Sequence, residues 1–231
     1  MVVAGKIFRL SEPLAVGEIA SRLEGYRSEE SYEEGDYKFA LVTEVVGLLP
    51  KGNMLRGIYS NDYVIELFHR GKIVPTPRTV EALFSFAQNE DVTFLTIVEK
   101  KRVANFIANK LSEILFEKVG DVLEARISPE TLKAFHLKNP EDTKITFFGN
   151  VDIPNVDKLS LYGPDLVNTS LFEDYGKHGD LWYVVARSKE HGYVVGITRD
   201  ASVTIFNLTE KERYLEYVNK EIYPLALQES K

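Results

Sequence analysis

The sequence predicts an α+β protein of two similar units, each running strand, helix, antiparallel meander and long helix, with the helices packed on one face of the sheet. Three observations carry this prediction. Short β-branched and aromatic segments broken by Gly, Pro and Asn recur through both halves of the 231 residues, as strands of a meander do. Two longer segments, 100–116 and the stretch after residue 210, repeat apolar side chains three and four residues apart. A helix with a single apolar stripe must bury it against a partner layer, and the neighbouring meander strands supply one.

Taken in order, residues 6–10 read as a strand, and Ser11 is placed to cap a helix with Leu14, Val16, Ile19, Ala20 and Leu23 on its stripe. Residues 28–36, carrying Glu29, Glu30, Glu33 and Glu34, read as an acidic mobile loop. Residues 38–49 form a strand, Pro50, Gly52 and Asn53 supply turn chemistry, and 54–60 and 63–70 form two more strands. Thr76 and Pro77 resemble a helix start, but alternation of Val80, Ala82, Phe84 and Phe86 selects a strand over 76–88. Residues 92–98 are a strand and 100–116 a helix with Val103, Phe106, Ile107, Leu111, Ile114 and Leu115 on one face. The second half gives a strand at 123–127 and a helix opened by Ser128, Pro129 and Glu130 and ending near 138. Strands follow at 144–151, 158–162, 181–188, 193–198 and 203–207. The last helix carries Tyr214, Tyr217, Val218, Ile222 and Leu225 on its stripe.

At an offset of 111, Val92, Thr93, Glu99, Lys100 and Arg102 recur as Val203, Thr204, Glu210, Lys211 and Arg213, and the stripe of the first long helix maps onto that of the last. Arg9-Leu10-Ser11 is echoed by Arg126-Ile127-Ser128. An internal repeat governs the fold when it is present, so the chain divides into units 1–117 and 118–231, the second with an inserted loop at 163–181. In topology this arrangement resembles the two repeats of the TATA-box-binding protein saddle, over nearly the whole chain. The resemblance implies a sheet surface that meets a macromolecule, with Arg56, Arg70, Lys72, Arg187, Lys189 and Arg199 near strand ends as its basic margin. The phenylalanine pairs that wedge between base steps in that family have no matching counterparts here, so the resemblance implies the fold rather than the grip on DNA.

Composition bounds the chemistry. There is no Cys, which excludes thiol nucleophiles, cysteine zinc sites and iron–sulfur clusters. The net charge of −7 is shared between the halves, 14 basic and 17 acidic side chains against 14 and 18, and it disfavours nucleic acid as a general partner. No apolar run reaches membrane length, and no signal peptide opens the chain, so no membrane partner and a cytoplasmic address are expected. No phosphate loop, nucleophile elbow or dinucleotide fingerprint is present, and no cofactor is expected. The inserted loop groups Asp165, Asn168, Glu173, Asp174, Lys177, His178 and Asp180, which could hold a divalent cation or form an acid/base pair, although the spacing matches no known scheme. Asp62 with Glu99 and Lys101 loosely resembles the carboxylate and Glu-x-Lys pattern of metal-dependent restriction-type nucleases. His69, His136 and His191 are isolated and read as surface or packing residues.

These features together predict a non-catalytic binding or regulatory protein that meets a protein or nucleic acid through its sheet. The alternative is a metal-dependent hydrolase using Asp165, Glu173, Asp174, His178 and Asp180 or the Glu-x-Lys site. Residues 182–186 and 193–197 are apolar at nearly every position, where a half-solvated strand would alternate. Both faces should therefore be dry, and a homodimer burying Trp182 or Val184 on the outer face is expected.

Overall fold

The computed structural model describes residues 2–89, 91–138 and 144–228. In chain order the first elements are β1 (Val3–Leu10), α1 (Val16–Leu23), β2 (Arg27–Glu34), β3 (Tyr37–Lys51), β4 (Met54–His69), β5 (Lys72–Asn89), β6 (Val92–Ile97) and α2 (Lys101–Phe116). Then come β7 (Val122–Glu124), α3 (Pro129–Lys138), β8 (Ile145–Gly149), β9 (Leu159–Tyr162), α4 (Ser170–His178), β10 (Asp180–Arg187), β11 (Val194–Thr198) and β12 (Ser202–Ile205). The chain finishes with α5 (Lys211–Tyr217), a π-helical turn Val218–Ile222, and α6 (Tyr223–Leu227). The composition is 28% helix and 45% strand, and the strands form a large antiparallel sheet. Among the described residues no helix is long and apolar enough to cross a membrane.

The chain separates into two compact units: Met1–Arg9 with Val98–Ala104 and Leu123–Lys231, and Leu10–Ile97 with Asn105–Val122. Both are discontinuous in sequence, whereas the division expected from the sequence cuts the chain once, after residue 117.

In the second unit the strands run β2-β3-β4-β5-β6. Ile19, Leu23, Leu55, Tyr59, Phe84, Phe86, Ile107, Leu111 and Leu115 are buried at its core. Three expectations are corrected here. Residues 28–36 are not a loop, because β2 pairs with β3 from Arg27↔Glu44 to Glu34↔Tyr37. An edge strand needs no apolar face, and its glutamates deter pairing with another edge. The strands expected at 54–60 and 63–70 are one, since Asn61 and Asp62 pair with Val80 and Thr79 in β5 instead of turning. Ser11 does not cap α1: its hydroxyl donates to Asp121 at 2.7 Å, and Ala15 holds the cap position without a side-chain bond. The β4–β5 connection is Arg70-Gly71, with φ of 47° and 82°, the two positive values that a tight right-twisted hairpin requires.

In the first unit the order is β1-β12-β11-β10-β8-β9, with β7 also pairing β1. The strand registers put Thr146, Phe148, Val184, Ala186, Val195, Ile197, Val203 and Ile205 on one face, and all are buried. Helices cover this face. Phe148 meets Phe172 of α4 at 5.6 Å between ring centres, and the Tyr214 hydroxyl of α5 donates to the Val203 carbonyl at 3.0 Å. Ser128 caps α3 as its sequence implies, accepting the Thr131 N–H at 3.0 Å. The segment 163–181 is ordered rather than an open loop: a 3-10 turn Leu166–Asn168 leads into α4, whose first turn is capped by Thr169 accepting the Phe172 N–H at 3.3 Å. The final stripe is buried at Tyr214, Tyr217, Val218 and Ile222. It is one interrupted helix, and Pro224, which has no N–H to give, sits at the start of its last piece.

His136 of α3 is fully buried, 4.4 Å from Phe172 between ring centres, with neither ring nitrogen hydrogen-bonded. Burial, reinforced by the charge of Lys133, pushes its pKa down to about 4. Native protein therefore keeps His136 neutral while the unfolded chain takes up a proton below about 6.5. The stability it contributes is complete above that value and is lost as pH falls toward 4. Urea unfolding of wild type should weaken across this window by up to about 3 kcal/mol more than that of His136→Leu. Parallel pH profiles for the two would contradict a neutral buried His136.

Candidate binding face

The other face of the first unit's sheet is built around one irregularity. The register of β10 against β8 shifts between Leu181 and Tyr183, so Trp182 is an extra residue in the ladder. A bulge of this kind re-aims the side chain that it inserts. Trp182, which simple alternation would place with Val184, instead lies 5.6 Å from Phe147 and 5.9 Å from Tyr183 between ring centres. Tyr183 is 5.3 Å from Phe147, which in turn is 5.8 Å from Tyr162 of β9. Two glycines make room for this cluster. A Cβ on Gly196 would fall 2.6 Å from the Tyr183 hydroxyl and 3.1 Å from its ring, and one on Gly149 would fall 3.3 Å from the Trp182 indole. Tyr162 is mostly exposed, and the Lys158 ammonium lies 5.6 Å above the Trp182 ring. The indole N–H of Trp182 is shielded from water and has no acceptor.

Beside the rings lies a charged network drawn from four chain segments. Lys6 has no exposed surface, and its ammonium donates to Glu124 and, at 3.3 Å, to Asp200. Lys101 and the Thr198 hydroxyl also donate to Asp200. Burial alone would raise the Asp200 carboxyl, but the bonds from Lys101 and Thr198 and the charge of Lys6 outweigh it and hold the group well below the usual carboxylate range. The same bond from Lys101 to Asp200 pushes the Lys101 ammonium up. An open cleft of about 620 Å³ lies over this network, lined by Lys101, Arg126, Trp182, Arg199 and Asp200 among others. Arg199 is 3.7 Å from Asp180, and Arg126 has no ion-pair partner among the described residues.

No family model and no curated protein sequence matches the chain.

Of the residues expected at a binding surface, the structure brings Trp182 and Arg199 to one cleft. Val184 is corrected: the bulge turns it to the helix-covered side, where it has no exposed surface, so it offers nothing to a partner. Val185 on the opposite side is 3% exposed, so the dryness of β10 at these positions is supplied by its own chain. Arg187 lies at the far end of β10, and Lys189 lines a separate cleft of about 730 Å³. Arg56 sits half-buried in β4 opposite Ser85, while Arg70 and Lys72 lie at the exposed β4–β5 tip in the second unit.

The metal alternative finds no convergent ligand set at the expected residues. Asp165 accepts from Asn168 at 2.7 Å, Asp174 from Lys177 at 2.8 Å, and Asp180 from Asn150 at 2.8 Å. His178 bonds to Asp152 at 2.8 Å, and Glu173 stands in the first turn of α4. Among the described residues, Glu190, His191 and Glu221 are close enough to share an ion, but Lys220 lies 2.9 Å from Glu190 and 3.7 Å from Glu221. The nuclease pattern is dispersed into other bonds as well. Asp62 accepts from the Val42 N–H at 3.0 Å and from Thr79 at 2.6 Å, Glu99 lies 3.3 Å from the Lys100 N–H, and Lys101 is held by Asp200.

Sequence reasoning missed Lys6, Glu124, Asp200, Arg126, Lys158 and the Phe147–Tyr162–Tyr183 rings. One signal was present: Lys6 interrupts the run of apolar and small residues 2–8 of the sequence, and a buried cation requires paired anions. Replacing Lys6 with Met should lower unfolding free energy by about 1.5–3 kcal/mol, because Glu124 and Asp200 each lose a charge-assisted hydrogen bond while Asp200 keeps Lys101. Adding Asp200→Asn and Glu124→Gln should restore most of it. Denaturant melts of the single and triple variants test the pairing, and a single variant as stable as wild type would refute it.

Proposed function

We propose that the protein is a non-catalytic binding protein that holds a single-stranded segment of nucleic acid on the open sheet face of its first unit. One observation carries this reading: four aromatic rings, of which Tyr162 is exposed and the others half-buried, cluster on the sheet face opposite the helix-covered one, beside a cleft bearing Lys101, Arg126 and Arg199. Single-strand binding surfaces combine stacking platforms for bases with cations that track the backbone. Unpaired bases can lie on Tyr162 and Trp182, and phosphates can meet the three cations. A duplex hides its ring faces in the stack and suits this surface less well. The net charge of −7 is no obstacle at this range, because screening limits the influence of distant acids to about 10 Å.

The same reading accommodates the repeated organisation. Val92 opens β6 and Val203 lies in β12, each in the last strand before a helix, which is consistent with two related units that have diverged in their use. A cytoplasmic setting would present such a ligand.

The test is fluorescence anisotropy of a labelled single-stranded oligonucleotide. Wild type should bind, more weakly as salt rises, and an equal-length duplex should bind less. Trp182→Ala should cost about 1–3 kcal/mol, roughly five- to 150-fold in affinity. Arg126→Glu with Arg199→Glu should cost more. Gly196→Ala should weaken binding by pushing Tyr183 out of place while leaving the fold intact. No binding by about 100 μM, the weak end of non-specific association, would overturn the proposal.

A further inference from the structure

The second unit carries a feature that the open face does not explain. Beyond Ser60 the β4–β5 hairpin continues for nine more residues on the β4 side, out to the Arg70-Gly71 turn, with its ladder paired throughout. Its tip is apolar on both sides. Leu67 pairs with Val74 and Phe68 with Ile73, and successive pairs project to opposite faces. Phe68 is 79% exposed and Ile73 61%. Exposed apolar side chains gathered at one end of an arm mark an interaction surface.

Charge identifies the occupant. The arm, residues 61–80, contains Arg70, Lys72 and Arg78 against Asp62 and Glu66, a net charge of +1, and its outermost stretch, 67–74, carries Arg70 and Lys72 with no acid. Residues 27–38, the β2–β3 hairpin of the same unit, contain Glu29, Glu30, Glu33, Glu34 and Asp36 against Arg27 and Lys38, a net charge of −3. Among the described residues Arg70, Lys72, Glu30 and Asp36 have no ion-pair partner within the chain. The exposed ring of Tyr37 lies at the acidic tip, so this hairpin offers apolar as well as charged contact.

We infer that the chain associates with a second copy of itself, the β4–β5 tip of each copy docking on the acidic β2–β3 hairpin of the other. The contact is reciprocal, as a two-fold pair requires: one tip and one acidic hairpin per copy satisfy two identical contacts. Direct pairing of two β2 edges would instead oppose glutamate to glutamate. An anionic membrane or a nucleic acid would be repelled by the acidic hairpin that accompanies the tip. This dimer uses neither β10 nor β11 and is independent of the binding face proposed above.

Sedimentation velocity at low and high salt tests it. Wild type should form a dimer that dissociates as salt rises. Phe68→Ser should weaken the dimer, and Arg70→Glu with Lys72→Glu should raise its dissociation constant by at least about tenfold, as like charges then meet. Glu30→Lys with Asp36→Lys should do the same. An equimolar mixture of the two charge-reversed proteins should restore the dimer, because both contacts of the mixed pair become complementary. All five substitution sites are exposed, and circular dichroism of each variant checks the fold. A monomeric wild type at every concentration, or a mixture that stays monomeric, overturns the proposal. So does a monomeric wild type whose tip instead captures phosphatidylserine vesicles or duplex DNA.

Discussion

A lysine without exposed surface keeps its charge only if carboxylates come with it, and Lys6 brings two, Glu124 and Asp200. Those partners come from residues more than a hundred positions away, so satisfying one ammonium ties β1 to β7 and to the turn between β11 and β12. Asp200 then draws in Lys101 at the start of α2 and Thr198 at the end of β11. The Ala201 carbonyl accepts the Ile7 N–H at 3.1 Å, and the Ile7 carbonyl accepts the Ala125 N–H at 3.2 Å, so backbone bonds run through the same junction. The candidate cleft is the outer surface of this junction. One of its cations, Lys101, is held in place by a network whose first requirement is the neutralisation of Lys6.

The rings beside the cleft depend on a different economy of space. A sheet face without helices exposes its strand side chains to water, and large rings lie flat there only where the neighbouring strand has no Cβ. Gly196 opposite Val185 and Gly149 opposite Asp180 supply those gaps. The bulge at Trp182 then moves one more ring from the helix side to the open side. Glycine on the adjacent strands and the bulge in β10 thus act together: without either, Tyr183 and Trp182 would not share a surface with Phe147.

What could be read in the sequence followed the range of the forces involved. Strands such as β3, β5 and β6 and the Ser128 cap of α3 depend on neighbours one to four residues away, and their patterns announce them. Residues 28–36 read as a loop because alternation reports burial, and an edge strand with both faces in water has nothing to bury. Trp182 and Val184 were placed together because a one-residue slip in register leaves no trace in composition. The carboxylates of 163–181 looked convergent because they are close in sequence, but a helix spreads successive side chains around its axis. Asp174 faces Lys177 one turn on, while Asp180 has already entered β10. The Lys6 network was least legible of all, since its members lie at positions 6, 101, 124, 198 and 200.

Net charge conceals how this molecule distributes its ions. The total of −7 describes neither the acidic β2–β3 hairpin nor the cation-lined cleft, and each patch acts over a distance shorter than the separation that an average implies. Within the second unit, acids gather on the β2–β3 hairpin while the β4–β5 tip carries Arg70 and Lys72, and Lys38 with Glu33 and Arg27 with Glu44 offset only part of the acidic surplus. Segregated charge of this kind lowers the stability of an isolated chain slightly and raises its selectivity for a surface of opposite sign. In the first unit the logic is reversed, because opposite charges are packed together and the cleft carries Asp200 beside its three cations. The two units therefore use the same residue types for different ends, one to secure a fold around a buried ammonium and the other to leave complementary surfaces unsatisfied.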